Sequence, residues 1–126
     1  MIWKYGRKKA TLYILSKYDE AIECYENALR LNSNDVGLWV IKAIILDHLG
    51  KYDEAIKCFD KAIEIDPTYD DAWNSKGIAL NELGKYDEAI KCFNEVLRIN
   101  PNHNDAMKNM EMAVAESEKR KRFRFF

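Results

Sequence analysis

Glycine and proline are scarce in this chain, five and two in 126 residues, which argues against a turn-rich β protein and against a disordered one. No apolar run approaches the roughly 20 residues of a membrane span. Within Met1–Leu15 the only apolar run is Leu12–Leu15, too short for the core of a signal peptide, so the chain reads as cytoplasmic. There is no glycine-rich phosphate loop. The two histidines, His48 and His103, have no acid or nucleophile recurring beside them, so each is expected to be a surface residue and catalysis is not expected. The three cysteines form no CxxC pair, which leaves zinc without a ligand set. No cofactor and no metal are expected.

What the chain has is a repeat. Lys51–Pro67 reads KYDEAIKCFDKAIEIDP, and it returns as KYDEAIKCFNEVLRINP at Lys85–Pro101 and as KYDEAIECYENALRLNS at Lys17–Ser33. The offset is 34 each time, through Tyr18, Tyr52 and Tyr86, then Ala21, Ala55 and Ala89, then Tyr25, Phe59 and Phe93. A fixed period of this length means that each unit buries its apolar face against its neighbours. Cys24, Cys58 and Cys92 occupy one position of that repeat. Equivalent positions on stacked units lie roughly 10 Å apart, too far for a disulfide, and point to three separate thiols.

Within a unit the pattern is two helices. Trp39, Ala43, Leu46 and Leu49 follow helical spacing, and Gly50 stops the first helix. Asp53 and Glu54 open the second at its positive end, Ala55, Ile56, Phe59, Ala62 and Ile63 form its apolar face, and Pro67 blocks continuation. The third unit repeats this with Trp73, Gly77, Leu80, Leu83, Gly84, Ala89, Ile90, Phe93, Val96, Leu97 and Pro101. Asn34, Thr68 and Asn102 fall where each following helix should start and are expected as N-caps.

The first unit departs from the others, with Gly6 and a basic cluster in its opening helix and Lys9 where Ala43 and Gly77 stand later. Its last turns, carrying Leu12 and Leu15, are expected to be native-like. Behind the third unit one more helix, about 104–122, is expected as a cap, with Ala106, Met107, Met110 and Val114 inward and Glu111, Glu116 and Glu118 towards water. The division is one solenoid over 1–122, with units at about 2–35, 36–69 and 70–103, and a basic, aromatic tail at 123–126. The broken first unit also suits a chain that is a piece of a longer array.

Trp73, Lys76, Gly77, Leu80, Ala89, Phe93 and Pro101, with Trp39, Lys42, Ala43, Leu46, Ala55, Phe59 and Pro67, resemble the tetratricopeptide repeat. Tyr5, Lys8, Lys9, Leu12, Ala21, Tyr25 and Ser33 form a weaker first copy. Lysine stands in all three units where the family has leucine, and leucine where its first helix has tyrosine. The resemblance implies an all-α, right-handed solenoid of about three helix-turn-helix repeats plus a C-terminal capping helix. It implies non-enzymatic binding of a peptide or partner helix on the concave face. The family's groove positions carry over to Val40, Ile44 and Asp47, to Asn74, Ile78 and Asn81, and to Lys108 and Met112. The alternative is that these residues form an ordinary, lightly apolar solvent face. Some members clamp a carboxylate with cations. The matching positions here, Gly6, Ala10, Ile41, Asp71 and Ser75, or one unit on Val40, Ile44, Ser75, Asp105 and Asn109, hold none, which speaks against a clamp.

Charge leaves two further readings open. Residues 1–17 hold five bases and no acid, and 119–126 hold another five bases, whereas 18–118 hold 10 bases against 21 acids. Basic ends and an acidic body suit a self-assembling scaffold, helped by Tyr13 and Ile14 on the irregular first helix. The RKRFRFF tail has a composition suited to nucleic acid or an acidic surface, the alternative being a plain solvated end, and nucleic acid is not the expected partner.

Overall fold

The computed structural model describes residues 2–124, with side chains from Ile14 onward. The side chains of Tyr5, Lys8, Lys9, Leu12 and Tyr13, the clamp positions Gly6 and Ala10, and all of Phe125 and Phe126 lie outside the described residues. Six helices follow one another: α1 (Ile2–Leu31), α2 (Val36–His48), α3 (Tyr52–Ile65), α4 (Asp70–Glu82), α5 (Tyr86–Ile99) and α6 (Asn104–Phe123). Each helix touches the next, and α2 touches α4 as α4 touches α6, the connectivity of an all-α solenoid. Among the described residues no helix is long and apolar enough to cross a membrane.

The α2–α3 and α4–α5 hairpins form as the sequence requires. Gly50 and Gly84 take φ of 75° and 74°, a region that costs a side chain energy. The reversal lets Lys51 N–H donate to Leu46 O and Lys85 N–H to Leu80 O, both at 2.9 Å, which satisfies the last carbonyls of α2 and α4. Buried residues gather into one cluster around Phe59, with Ala43, Leu46, Ala55 and Ala62, and another around Phe93, with Leu80, Ala89, Val96 and Ala106. Gly77 has a reason beyond helix spacing: a Cβ there would come within 2.5 Å of the Phe93 ring. The aromatic therefore closes on the opposite helix of its own unit. Trp39 and Trp73 are half-buried against these clusters. Their indole N–H groups donate to Ser33 O at 2.8 Å and Pro67 O at 2.9 Å, pinning the loop that precedes each unit.

The first unit is not a hairpin. Ser16 stands where Gly50 and Gly84 turn the chain, and α1 runs through it as one helix of 30 residues. Without a residue that readily takes positive φ, the helix has no reason to reverse. Only its C-terminal half has the repeat's second-helix sequence, and α1 packs on α2.

The helix starts also differ from expectation by one residue. Asp35, Tyr69 and His103 are the N-caps, and Asp35 Oδ1 accepts from Leu38 N–H at 3.2 Å. Thr68 and Asn102 instead donate their N–H groups to Asp66 and Asn100 side chains in the preceding turns. His103 is correspondingly no plain surface residue: its Nδ1 accepts from Ala106 N–H at 3.1 Å.

On α6 the buried residues are Ala106, Ala113 and Ser117, with Met110 half-buried; Met107 and Val114, expected inward, are exposed. The inward stripe is chosen by small size and by a polar anchor. Ser117 Oγ donates to Asp87 Oδ1 at 2.7 Å, and Arg120 Nη1 donates to Gly84 O at 2.7 Å while its guanidinium lies over the Tyr86 ring. The Ser117 hydrogen bond, then the Lys121 ammonium, holds the Asp87 carboxyl below its ordinary range. That contribution to folding is present above the unfolded carboxylate pKa and disappears as pH falls through the lower folded value. Part of the basic C-terminal cluster thus serves to dock the cap.

Candidate ligand-binding groove

The expected groove residues lie on α2, α4 and α6. Their accessibility varies widely. Val40 is only 8% exposed and belongs to the core around Phe59. Ile44 is 39% exposed, whereas its counterpart Ile78 is half-buried against the Phe93 cluster. Lys108 is exposed and Met112 is 65% exposed on α6.

The polar members are more constrained. Asn74 Oδ1 accepts from Asn109 Nδ2 at 3.3 Å, a bridge between α4 and α6. Asp47 and Asn81, one period apart, each have a buried Oδ1 with no hydrogen-bond donor among the described residues. Leaving a buried acceptor unpaired costs free energy. Two such acceptors stand at one position of the repeat. Burial pushes the Asp47 carboxyl above its ordinary range, and the nearby Glu82 carboxylate adds to the rise against the opposing effect of His48. Glu82 is the neighbour that the repeat pattern does not single out, because its counterpart one unit earlier is His48; only the approach of α2 to α4 brings it near Asp47.

An Asp whose folded pKa is raised destabilises the fold when ionised. The penalty is absent below the unfolded pKa of about 3.9 and grows as pH rises through the folded value. Asp47→Asn, which copies Asn81, is therefore expected to be more stable than the wild type at pH 7 and equal to it near pH 3. Urea unfolding at the two pH values measures this, and a difference of the opposite sign at pH 7 refutes it.

The lysines that replace the expected leucine form the joints between units. Lys42 Nζ lies 3.5 Å from Glu26 Oε1 and Lys76 Nζ lies 2.7 Å from Asp60 Oδ1. Each ammonium also sits 5.7 Å from the ring centre of its own unit's tryptophan. The lysine stems thereby replace leucine packing, and their heads tie the first helix of a unit to the second helix of the unit before.

Among the described residues, Asp70, Asp71 and His103 form a cluster whose donors lie close enough to share a cation. Each has another task. His103 Nδ1 caps α6, so Nε2 carries the proton and faces Asp71 Oδ1 at 3.5 Å. Asp70 accepts from Asp71 N–H at 2.9 Å and from Asn100 Nδ2 at 3.3 Å. The cysteines are free thiols, Cys58 and Cys92 buried and Cys24 exposed. Burial pushes the Cys92 thiol up to about 11, which leaves it without nucleophilic character at neutral pH.

No protein of curated function matches the sequence. Among solved structures, the first TPR of Spaghetti (RPAP3) bound to the HSP90 peptide SRMEEVD is similar, with 27% identity over 86% of both chains and a TM-score of 0.76. The second TPR domain of human RPAP3, in complex with the HSP70 peptide SGPTIEEVD, shares 29% identity over 86% of this chain and 90% of that one, at a TM-score of 0.74. The first TPR domain of human RPAP3 gives 25% identity, coverage of 92% and 91%, and a TM-score of 0.79. The sequence profile of the tetratricopeptide repeat matches residues 10–35, 38–69 and 70–103, most of the chain, including the unit whose hairpin is missing. The fold is that of a protein-interaction module, and the chain belongs to the tetratricopeptide repeat family.

Proposed function

We propose that this protein is a non-enzymatic binding module that holds an extended peptide or a partner helix on the concave face formed by α2, α4 and α6. The observation that carries this reading is the recurrence, one period apart, of a buried acceptor with no donor among the described residues beside an isoleucine: Asp47 with the exposed Ile44, and Asn81 with the half-buried Ile78. Side-chain acceptors can take backbone N–H donors of a peptide, and the isoleucines can take its apolar side chains. Two of the similar domains are bound to the acidic peptides SRMEEVD and SGPTIEEVD, and that ligand class does not suit this groove. Where a clamp needs cations, the described positions hold Ile41, Asp71 and Ser75, and one unit on Asp105 and Asn109. Asp47 and Glu82 add negative charge. The ligand is accordingly an apolar peptide without an acidic terminus.

A random-peptide display selection against the wild-type chain tests this, followed by calorimetry on the enriched sequences. Ile44→Arg/Ile78→Arg is expected to weaken the selected peptides at least ~10-fold, the loss of about 1.4 kcal/mol or more from two apolar contacts. Helicity should stay at the wild-type level, since Ile44 lies outside both core clusters and Ile78 at the margin of one. Equal affinity in the double variant, or enrichment of acidic C-termini, refutes the groove reading.

A further inference from the structure

The unbroken α1 leaves a place in the solenoid unfilled. In the complete units a first helix lies against a second: Ala55, Phe59 and Ala62 on α3 are 0%, 1% and 0% exposed. Their counterparts on α1, Ala21, Tyr25 and Ala28, are only half-buried. The adjoining side of α2 tells the same story. Ala72, Ser75 and Ala79 on α4 are small, with Ala72 and Ala79 fully buried and Ala72 in the cluster around Phe59 of the preceding unit. At the same positions α2 presents Leu38, Ile41 and Ile45, and Ile41 is 41% exposed. Two helices thus show an apolar face shaped for one more helix.

The chain contains a sequence in register for that position. Residues 2–15 occupy the first-helix half of the unit, with Leu12 and Leu15 one period before Leu46 and Leu49. Its own molecule cannot use it. Residues 2–15 and 17–31 lie end to end along a single helix roughly 45 Å long, so they cannot lie side by side. In a second copy they can. A hairpin opened at its turn into one long helix makes the same antiparallel contacts when two such helices pair about a two-fold axis. Charge agrees: residues 2–15 hold Lys4, Arg7, Lys8 and Lys9 and no acid, while 18–29 hold Asp19, Glu20, Glu23 and Glu26 and no base.

We propose that two copies of this chain form a helix-exchanged dimer, in which residues 2–15 of each α1 cover the face made by Ala21, Tyr25, Ala28, Leu38, Ile41 and Ile45 of the other. Each copy then completes the first unit of its partner and lengthens the partner's stack by one helix. Ser16 is the hinge, because a glycine there would permit the closed hairpin.

Sedimentation of the full chain across the micromolar range reads this directly. The wild type is expected at twice the 14.8 kDa chain mass. Ser16→Gly is expected to weaken the dimer roughly 5-fold, since two hinges each lose about 0.5 kcal/mol of helix preference relative to serine. Tyr25→Arg, on the receiving face and already half-exposed, is expected to abolish the dimer with helicity retained. A wild-type monomer at every concentration overturns the proposal, as does a dimer unchanged by Ser16→Gly or one that survives Tyr25→Arg. Both variants leave Ile44 and Ile78 intact, so peptide binding can fail or succeed independently.

Discussion

Phe93→Ala is expected to lose about 3–5 kcal/mol of stability, towards the upper end of what removing a buried phenyl ring costs. The ring is fully buried, and it closes on Gly77 so tightly that a methyl group there would come within 2.5 Å of its edge. Truncation removes the ring from a site whose opposite wall has no side chain able to move in. The second unit supplies an internal comparison. Phe59 is equally buried, but the position matching Gly77 is Ala43, which retains a methyl group. Phe59→Ala should therefore cost measurably less than Phe93→Ala. For a chain of this size the larger loss lowers the melting temperature by about 10–20 °C. Equal costs for the two variants in denaturant titrations would show that the glycine contact does not set the difference.

Ala89→Leu is expected to destabilise by overpacking, by about 1–3 kcal/mol. Ala89 is completely buried on α5 in the cluster that holds Phe93, where the neighbouring helix already approaches closely enough to require Gly77. Leucine favours helix nearly as well as alanine, so propensity cannot account for a loss of that size. The extra carbons must instead push α4 and α5 apart or force the Phe93 ring from its position. Because α6 packs on α5, the cap should loosen with it, and amide exchange in α6 should rise alongside the fall in global stability. A melting temperature matching the wild type would mean that the crossing has room that the contacts do not show.

These effects differ in how far the sequence announces them. The 34-residue period, the glycines at 50 and 84 and the prolines at 67 and 101 give the hairpins of the second and third units, because each is a local signal with one structural outcome. For the candidate groove positions only their places on the helices were legible in the sequence. Helical spacing assigns Ile44, Asp47, Ile78 and Asn81 to one side of their helices, yet it could not tell that Val40 sinks into the core. Nor could it tell that Asn74 is held by Asn109 or that Glu82 bears on Asp47, since all three depend on how closely neighbouring helices approach.

By itself the sequence determined a stack of helical hairpins and the residues that every unit must bury, because those follow from periodicity and from backbone-breaking residues within a few positions of one another. Only the tertiary structure decided that α1 runs straight through Ser16, that α6 turns Ala113 and Ser117 inward in place of Met107 and Val114, and that two repeated acceptors lie buried without donors among the described residues. The orientation of α6 rests on contacts between segments about thirty residues apart, where a hydrogen bond outweighs the hydrophobicity of any single side chain. Helix α1, by contrast, continues because Ser16 does not readily take the positive φ of Gly50 and Gly84.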